Sequence, residues 1–269
     1  FHAYGTNGII VELQLRLAPA VPWEQMIIAS TSWDALLDFT QAIAEDPLIP
    51  KRLVTVLEDP IPSYFKPIKK FYPAEHHLTF LEVATPKAAE VKARAEAAGL
   101  TVSHQIPHHE PRRAPMLYEY TWNHTTLWAI KADERITYLQ SGFGDNYREQ
   151  IRLLHQRFPG EMMFHLEFVR GAPRNGAMNR VSIGSIPLVV FQSEERLKEI
   201  IDYCTEIGVF TANPHTCYVD EAGRANDFEQ QRALKLKVDP KGLLNPGKMK
   251  THPVNPFVVP GSMPQFLFA

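Results

Sequence analysis

The sequence predicts an α+β fold in which antiparallel sheets carry helices on one face. Three observations support this prediction. Short strand-like and helix-like segments alternate from about residue 20 to about residue 235. The order strand, helix, strand occurs four times, in two groups of two. The chain also holds 22 prolines among 269 residues, which is more than usual and indicates long ordered loops rather than a plain helical bundle.

Composition and charge exclude several classes of protein. Hydrophobic residues make up 45% of the chain and charged residues 22%, so the sequence is neither a disordered polyelectrolyte nor a membrane bundle. The formal net charge is -2, from 28 basic and 30 acidic side chains, which argues against a dedicated nucleic-acid binder. No apolar run is long enough to span a membrane, and we expect Cys204 and Cys217 to be reduced thiols of a cytoplasmic protein.

The first segment of the chain is predicted to be a strand. In GIIVELQLRLAP, every second residue from Val11 to Leu17 is apolar, which is the period of a half-buried strand, and Pro19 and Pro22 end it. The chain starts at Phe1 rather than at Met and passes directly into this strand. We therefore expect a piece of a longer protein, cut inside a domain.

The first half of the alternating region contains two strand–helix–strand units. Strands are predicted over 24–30, 53–57, 78–83 and 100–103. The first helix is predicted to begin after an N-cap at Ser32, with an apolar stripe from Trp33 to Ile43. The second helix is predicted over 86–98, because Pro86 suits a first helical turn and Gly99 suits a helix end.

The second half repeats this order of elements. Strands are predicted over 136–141, 162–169, 186–191 and 209–211. Asp145 and Ser193 are the predicted N-caps of the two helices in this half. Two such split units are typical of ferredoxin-like halves, so we expect a duplicated ferredoxin-like arrangement in one composite domain from about residue 20 to about residue 235.

Two further segments lie outside this pattern. Residues 105–132 join the halves, and their histidines, prolines and aromatics are typical of an irregular, partly helical pocket lining. A last helix is predicted from Asp227, followed by DPKGLLNPGKM. The apolar tail from Phe257 to Phe268 is expected to dock on another protein surface.

Two motifs carry a resemblance to a known family. The opening YGTNGIIVELQLRLAP is similar to the Gly-Thr-x-Gly junction strand of FAD-linked oxidases of the vanillyl-alcohol-oxidase type, and VDPKGLLNPGKM resembles their closing motif. About 220 residues separate the two motifs, as in that family. NPHTCYVDEAG also resembles a stretch of one subgroup. The resemblance covers the whole chain.

The resemblance implies a domain organisation and a cofactor. Residues 1–19 would be the last strand of a flavin-binding domain, residues 20–235 a substrate or cap domain, and residues 236–269 a segment that returns to the flavin-binding domain. The N-terminal flavin-binding portion, with its Gly-rich pyrophosphate turn, would be a partner missing from this sequence. The implied cofactor is FAD.

Four residues are candidates for cofactor binding. Gly5 and Gly8 would let the backbone approach a cofactor closely, and Ile10 could offer a backbone amide beside them. In the family, amides near this turn contact the adenine half of FAD. Asn245 would lie near the isoalloxazine ring, where an amide can tune the electronics of the flavin. The alternative for both segments is an ordinary turn.

The catalytic candidates are His215, His124 and Arg170. His215 could take a hydroxyl proton while a hydride leaves the same carbon, although related 2-hydroxy-acid enzymes have Glu-His-Gly in this stretch and this chain lacks that acidic neighbour. The alternative is a loop histidine bonded to backbone. His124, between Trp122 and Trp128, could form a pocket wall or be a buried structural histidine. Arg170 could clamp a substrate carboxylate or lie on the surface.

No metal site is predicted. His165 and Glu167 lie on one face of the 162–169 strand, where they could share a metal ion. Metal-dependent members of the family have a Gly-Asp-Gly-Asn-x-His stretch in this region, and this chain does not. A metal-dependent hydrolase is therefore the weakest hypothesis.

The leading hypothesis is the C-terminal part of an FAD-dependent oxidoreductase. It would oxidise a small hydroxylated substrate, such as a 2-hydroxy acid, by hydride transfer to flavin, and the electrons would pass to an acceptor. The alternative is a non-catalytic ferredoxin-like binding or assembly module. The sequence leaves a homodimer as an alternative assembly, because ferredoxin-like units often pair through their sheets. The closing motif and the apolar tail favour the enzyme, since a stand-alone module needs neither.

Overall fold

A computed structural model of the chain describes residues 3–109, 115–171, 181–221 and 228–249. The chain divides into two compact units. The sheet unit is Pro19–Thr211, and the terminal unit combines Phe1–Ala18 with Ala212–Ala269. Within the described ranges no helix is long and apolar enough to cross a membrane. The apolar tail falls outside these ranges.

The strand–helix–strand order that the sequence predicts recurs along the described chain. The strands are β1 (Trp23–Ser30), β2 (Lys51–Leu57), β3 (His77–Ala84), β4 (Thr101–Ile106), β5 (Ile136–Tyr138), β6 (Gln140–Phe143), β7 (Met162–Met163), β8 (His165–Arg170), β9 (Val181–Ser185), β10 (Leu188–Val190) and β11 (Phe210–Ala212). The helices are α1 (Trp33–Glu45), α2 (Thr85–Ala97), α3 (Asn123–Ala132), α4 (Tyr147–Arg157), α5 (Glu194–Glu206) and α6 (Phe228–Val238). Short 3-10 helices cover Ile61–Tyr64, Lys66–Phe71, Leu117–Tyr120 and Val219–Glu221.

One large sheet organises the sheet unit. Its strand order is β11-β6-β9-β8-β2-β3-β1-β4, and a smaller sheet has the order β5-β10-β7. One half contains β1, β2, β3 and β4, and the other contains β6, β8, β9 and β11. Counted in chain order and read from the outer edge of the sheet inward, the strands of each half are arranged fourth, first, third, second. The halves join where β2 and β8 pair antiparallel. The pairs β1–β3, β1–β4, β2–β3, β6–β9 and β8–β9 are antiparallel as well, which confirms the predicted antiparallel sheet.

Both faces of the large sheet are covered. In β1, Met26 and Ile28 pack in a core under α1, α2, α4 and α5, while Ile27 and Ala29 pack in a second core on the opposite face. This alternation is the two-residue period of a strand. The second core lies under α3 and three 3-10 helices. The prediction of helices on one face is therefore incomplete, because α3 covers the other one.

The helix ends follow local sequence signals. The hydroxyls of Ser32 and Ser193 accept the backbone N–H three residues on, at 3.2 and 3.1 Å, so both predicted N-caps are confirmed. Gly99 follows α2 with φ 74°, which favours glycine. The predicted cap at Asp145 is wrong. Asn146 precedes α4 instead, and its side chain makes no capping bond.

Two predicted strands are assigned to different sheets. The segment 136–141 divides into β5 in the small sheet and β6 in the large one. Between them lies buried Leu139, whose N–H donates to the carbonyl of Pro187 at 3.1 Å. The segment 186–191 gives only β10 in the small sheet, and the strand beside β6 is β9. The sequence does not reveal β9, because VSIGS has no clear apolar period.

The predicted strand 162–169 is interrupted at Phe164. The N–H of Phe164 donates to the Glu58 carboxylate at 2.7 Å, and its carbonyl accepts the Glu58 N–H at 2.9 Å. These bonds replace ladder pairing at that residue, so β7 joins the small sheet and β8 the large one. A contact across about a hundred residues of chain leaves no local signal in the sequence.

The predicted strand at the start of the chain does not form among the described residues. Residues 9–17 pair with no strand among the described residues, and Val11 and Leu17 are 93% and 92% exposed. A strand requires a neighbour to satisfy its backbone N–H and C=O groups. The alternating pattern is real, but the described residues provide nothing for it to pair with.

Candidate functional site

The opening turn of the terminal unit has an unusual backbone. Tyr4 and Gly5 have φ values of 49° and 69°, in the left-handed region. Buried Thr6 closes the turn by donating its hydroxyl and its N–H to the carbonyl of Ala3, at 2.6 and 2.9 Å. A Cβ atom at Gly8 would meet no heavy atom within 4 Å. The described residues therefore leave open space beside the glycine that the resemblance assigns to cofactor binding.

The closing turn lies against the opening turn. The side-chain amide of Asn245 donates a hydrogen bond to the carbonyl of Tyr4. A Cβ atom at Gly5 would lie 3.6 Å from that amide nitrogen. Asn245 and Gly247 both have positive φ, at 43° and 81°. The two motifs that carry the family resemblance are thus in direct contact, although Tyr4 and Asn245 are 241 positions apart in the chain.

A buried ion pair holds the closing turn. The Asp239 carboxylate accepts the backbone N–H groups of Leu243 and Leu244 at 3.0 and 2.7 Å. Lys235 donates to the same carboxylate and to the carbonyl of Leu244. The hydrogen bond from Lys235 is the largest of the contacts that lower the pKa of Asp239 to about 2. This network fixes the backbone immediately before Asn245.

Replacing Asp239 with asparagine is expected to loosen this turn. Asparagine keeps the shape of the side chain but loses the ion pair and one acceptor, so the N–H groups of Leu243 and Leu244 should exchange with solvent about 10-fold faster. Hydrogen exchange followed by mass spectrometry measures this change. Asp202→Asn, at an exposed carboxylate on α5, is the matched control. Unchanged exchange at Leu243 and Leu244 would show that the ion pair does not hold the closing turn.

His215 lies in a turn of the same unit. The Asn213 side chain accepts the backbone N–H of His215 at 2.9 Å, and the imidazole is exposed. Four residues further on, the N–H of Val219 donates to the carbonyl of Lys248 at 2.9 Å. The segment around His215 and the closing turn are thereby joined through backbone. The terminal unit thus contains all three segments that the resemblance identifies.

The sheet unit contains a buried polar cluster around Glu167. The carboxylate accepts the Thr55 hydroxyl and, at 2.7 Å, the backbone N–H of Trp122. His165 Nε2 lies 3.5 Å from the carboxylate, and neither ring nitrogen makes a well-aligned hydrogen bond with a described residue. Both side chains are at most 2% exposed. His165 and Glu167 share a face, as predicted from the strand period.

Burial keeps both members of this cluster neutral. Loss of solvent raises the pKa of Glu167 to about 8, because the hydrogen bonds from Thr55 and Trp122 offset only part of the desolvation. Loss of solvent also lowers the pKa of His165 to about 3, and the facing backbone of Ile186 opposes this only weakly. The pair is therefore uncharged between these two values.

A cavity of about 450 Å³ adjoins the Glu167 cluster. It is bounded by the start of β2, the end of β8 and the end of α1. Glu167 and Trp122 line it, and so do the basic residues Lys51, Arg52 and Arg170. Trp122 has φ 51°, a conformation that costs a residue of this size about 1–3 kcal/mol. Its N–H contact with Glu167 helps to hold that conformation.

The predicted catalytic residues belong to different units. Arg170 lies at the end of β8 and lines the cavity. His124 is exposed on α3, so the alternative of a buried structural histidine is wrong. His215 lies in the terminal unit, where Ile10 is 72% exposed. The described residues hold no group of three or more His, Cys, Asp or Glu that could bind a metal ion.

Sequence reasoning missed the polar partners of Glu167. Thr55 is one threonine in the apolar run LVTVL, and the Trp122 backbone has no side-chain signature. A partial signal was present, because a carboxylate inside the apolar strand HLEFV must find donors once both faces are buried. The Lys235–Asp239 pair, spaced as neighbours on a helix, was likewise not recognised as buried.

The comparisons with known proteins give a match in structure only. No family profile and no curated protein matches the chain. Two solved structures of alkyldihydroxyacetonephosphate synthase, in different crystal forms, each match with a TM-score of 0.52 at 14% identity. They align with 85% and 84% of this chain and with 45% of the synthase chain.

This chain has the fold of the aligned part of that synthase. The likeness agrees with the resemblance inferred from the opening and closing motifs. At 14% identity the likeness establishes the fold alone and does not extend to a cofactor or a substrate. The chain spans less than half the length of the synthase it matches.

Proposed function

We propose that this chain is the cap-containing part of an FAD-dependent oxidoreductase that oxidises a small hydroxylated substrate. The observation that carries the proposal is the bond from Asn245 to the Tyr4 carbonyl. It joins the two motifs that border the cap in the family. The FAD-oxidase fold over most of the chain supports the same conclusion.

The sheet unit would be the cap. Each half of its large sheet has the strand order fourth, first, third, second, with α1 and α2 in one half and α4 and α5 in the other. We interpret this repeated order as two ferredoxin-like units in tandem. The interpretation agrees with the strand–helix–strand pattern that the sequence contains four times.

The residues of the opening and closing turns fit the edge of a flavin site. Space beside Gly8 and the turn at Gly5 would let backbone approach the cofactor, and Ile10 would offer its amide. The Nδ2 atom of Asn245 is bonded to Tyr4, so its Oδ1 atom would be the acceptor for the cofactor. When bound, FAD supplies the hydride acceptor.

Three side chains are assigned roles toward the substrate. His215, with an exposed imidazole, would take the hydroxyl proton of the substrate. Arg170 would bind a substrate carboxylate through its planar guanidinium group, and His124 would form part of the pocket wall. A small hydroxylated substrate, such as a 2-hydroxy acid, has the hydroxyl that His215 would deprotonate. The flavin-binding portion of the family and an electron acceptor would be the partners.

A titration with FAD tests the proposal. Asn245→Asp keeps the size of the side chain and its tolerance of positive φ, but it removes the amide donor to Tyr4. In the protein that includes the flavin-binding portion, we expect this variant to bind FAD at least about 10-fold more weakly than the unmodified protein, measured by flavin fluorescence. Gln192→Glu, the same chemical change at an exposed position, is the control. Equal affinity for FAD in both variants would contradict the proposed site.

A further inference from the structure

The two halves of the large sheet separate beyond a short junction. Strands β2 and β8 pair at only three positions, Thr55 with Glu167, Val56 with Leu166 and Leu57 with His165. Towards Lys51, β2 pairs only with β3, and towards Arg170, β8 pairs only with β9. The cavity occupies the gap between the two diverging strand ends. Glu167 lies at the point where they part.

The gap is apolar along its sides and basic where its strands end. Val54, Phe168 and Val169 line it from the two strands, and Pro47 and Ile49 line it from the loop after α1. A volume of about 450 Å³ lies within the range of about 300–1,000 Å³ that is usual for small-molecule sites.

The charges at the gap are unbalanced. Lys51, Arg52 and Arg170 are basic, whereas Glu45 and Glu167 are the acidic residues that line it. Glu167 is neutral because it is buried, and Arg52 is partly compensated by its ion pair with Glu82. Arg170 is exposed and makes no ion pair with any other described residue. An anion in the gap would therefore meet excess positive charge.

We propose that the gap between β2 and β8 binds a small carboxylate that has an apolar body. The carboxylate would contact the guanidinium group of Arg170, and the apolar body would lie between Val54 and Val169 above Glu167. Trp122, which is 46% exposed, would cover one side of the ligand. This inference rests on the role that the proposed function gives to Arg170, and it adds the gap as the place where the carboxylate binds. The binding itself requires no flavin, so its test can fail separately from a test of the redox reaction.

The test uses hydrocinnamate, an aryl carboxylate, and its neutral amide, hydrocinnamamide. Binding to the unmodified protein without FAD is followed by calorimetry and by NMR of the Trp122 amide. We expect hydrocinnamate to bind with a Kd of about 1 mM or lower. The amide, which lacks the negative charge, should bind at least about 10-fold more weakly.

Two variants and a control locate the site. Arg170→Ala, at an exposed position, should weaken hydrocinnamate binding about 10-fold, and Val169→Trp should abolish it by filling the gap. Arg152→Ala, at an exposed arginine on α4, should leave it unchanged. The proposal is overturned if hydrocinnamate shows no saturable binding, if the acid and the amide bind equally, or if Arg170→Ala has no effect. Because Arg170 is exposed, that variant keeps the test valid even if Val169→Trp misfolds.

Discussion

Replacing His215 with alanine is expected to slow the reduction of bound flavin by about 100-fold or more in the complete enzyme. The proposed reaction removes a proton from the substrate hydroxyl while a hydride leaves the same carbon. Without a base at this position the proton must pass to water. Substrate affinity should change much less than the rate, because the imidazole acts on the transferring proton. Anaerobic stopped-flow mixing with a 2-hydroxy acid, followed by flavin absorbance, measures the rate.

Two further measurements separate a catalytic loss from a structural one. His108→Ala, at an exposed histidine of the sheet unit, should reduce flavin at the unmodified rate. Added imidazole should restore part of the rate of the His215→Ala protein, since a free base can occupy the vacated space. A His215→Ala protein that reduces flavin at the unmodified rate would exclude this residue from the mechanism.

Replacing Glu167 with glutamine is expected to change how stability depends on pH. Between pH 4.5 and about 8, the unfolded chain has released the Glu167 proton and the folded chain retains it, so stability falls as pH rises. Between about pH 3 and 6.5, the unfolded chain holds the His165 proton and the folded chain does not, so stability rises with pH. The two effects cancel between pH 4.5 and 6.5.

Above pH 6.5 only the Glu167 effect remains. At about 1.36 kcal/mol per pH unit, the unmodified protein should lose about 2 kcal/mol of unfolding free energy between pH 6.5 and 8. The glutamine variant should not show this loss, because its amide is neutral and can still accept the Trp122 N–H and donate to Thr55. Urea unfolding at pH 6.5 and pH 9 compares the two proteins.

A control separates this effect from general alkaline destabilisation. Glu134→Gln changes an exposed carboxylate between α3 and β5 and should retain the full loss of stability. If Glu167→Gln and the unmodified protein lost stability equally between pH 6.5 and 9, Glu167 would be ionised in the folded protein at neutral pH. The account of the buried pair would then be wrong.

Elements governed by local chemistry could be predicted from the sequence. The N-caps at Ser32 and Ser193 and the helix stop at Gly99 depend on groups within four residues of each other. The strand of β3 was visible because LTFLEV is buried on both faces and is almost continuously apolar. Local rules also showed that His165 and Glu167 share a face.

Features governed by distant contacts could not be predicted. The division of 162–169 at Phe164 depends on Glu58, about a hundred residues earlier. The gap beside Glu167 exists because β2 and β8, which come from different halves, separate after three residue pairs. Neither partner alone indicates where such a junction ends. The positive φ of Trp122 is likewise stabilised by a residue of another element.

The candidate flavin site combines features that the sequence predicts with features that depend on distant contacts. The resemblance of the two motifs identified Gly5, Gly8 and Asn245 from the sequence. The structure adds that Asn245 bonds to Tyr4 and that Lys235 and Asp239 hold the turn. Lys235 was unpredictable because a lysine among apolar helical positions is normally exposed, whereas here it is 3% exposed.

The visible absorption spectrum of the purified protein, recorded together with its intact mass, tests the central claim most directly. We predict the spectrum of oxidised flavin, retained after unbound FAD is removed. The intact mass then shows whether this chain alone, or this chain with a flavin-binding portion, holds the cofactor. A folded protein that includes the flavin-binding portion, yet carries no flavin and retains none after incubation with FAD, would contradict the assignment to an FAD-dependent oxidoreductase.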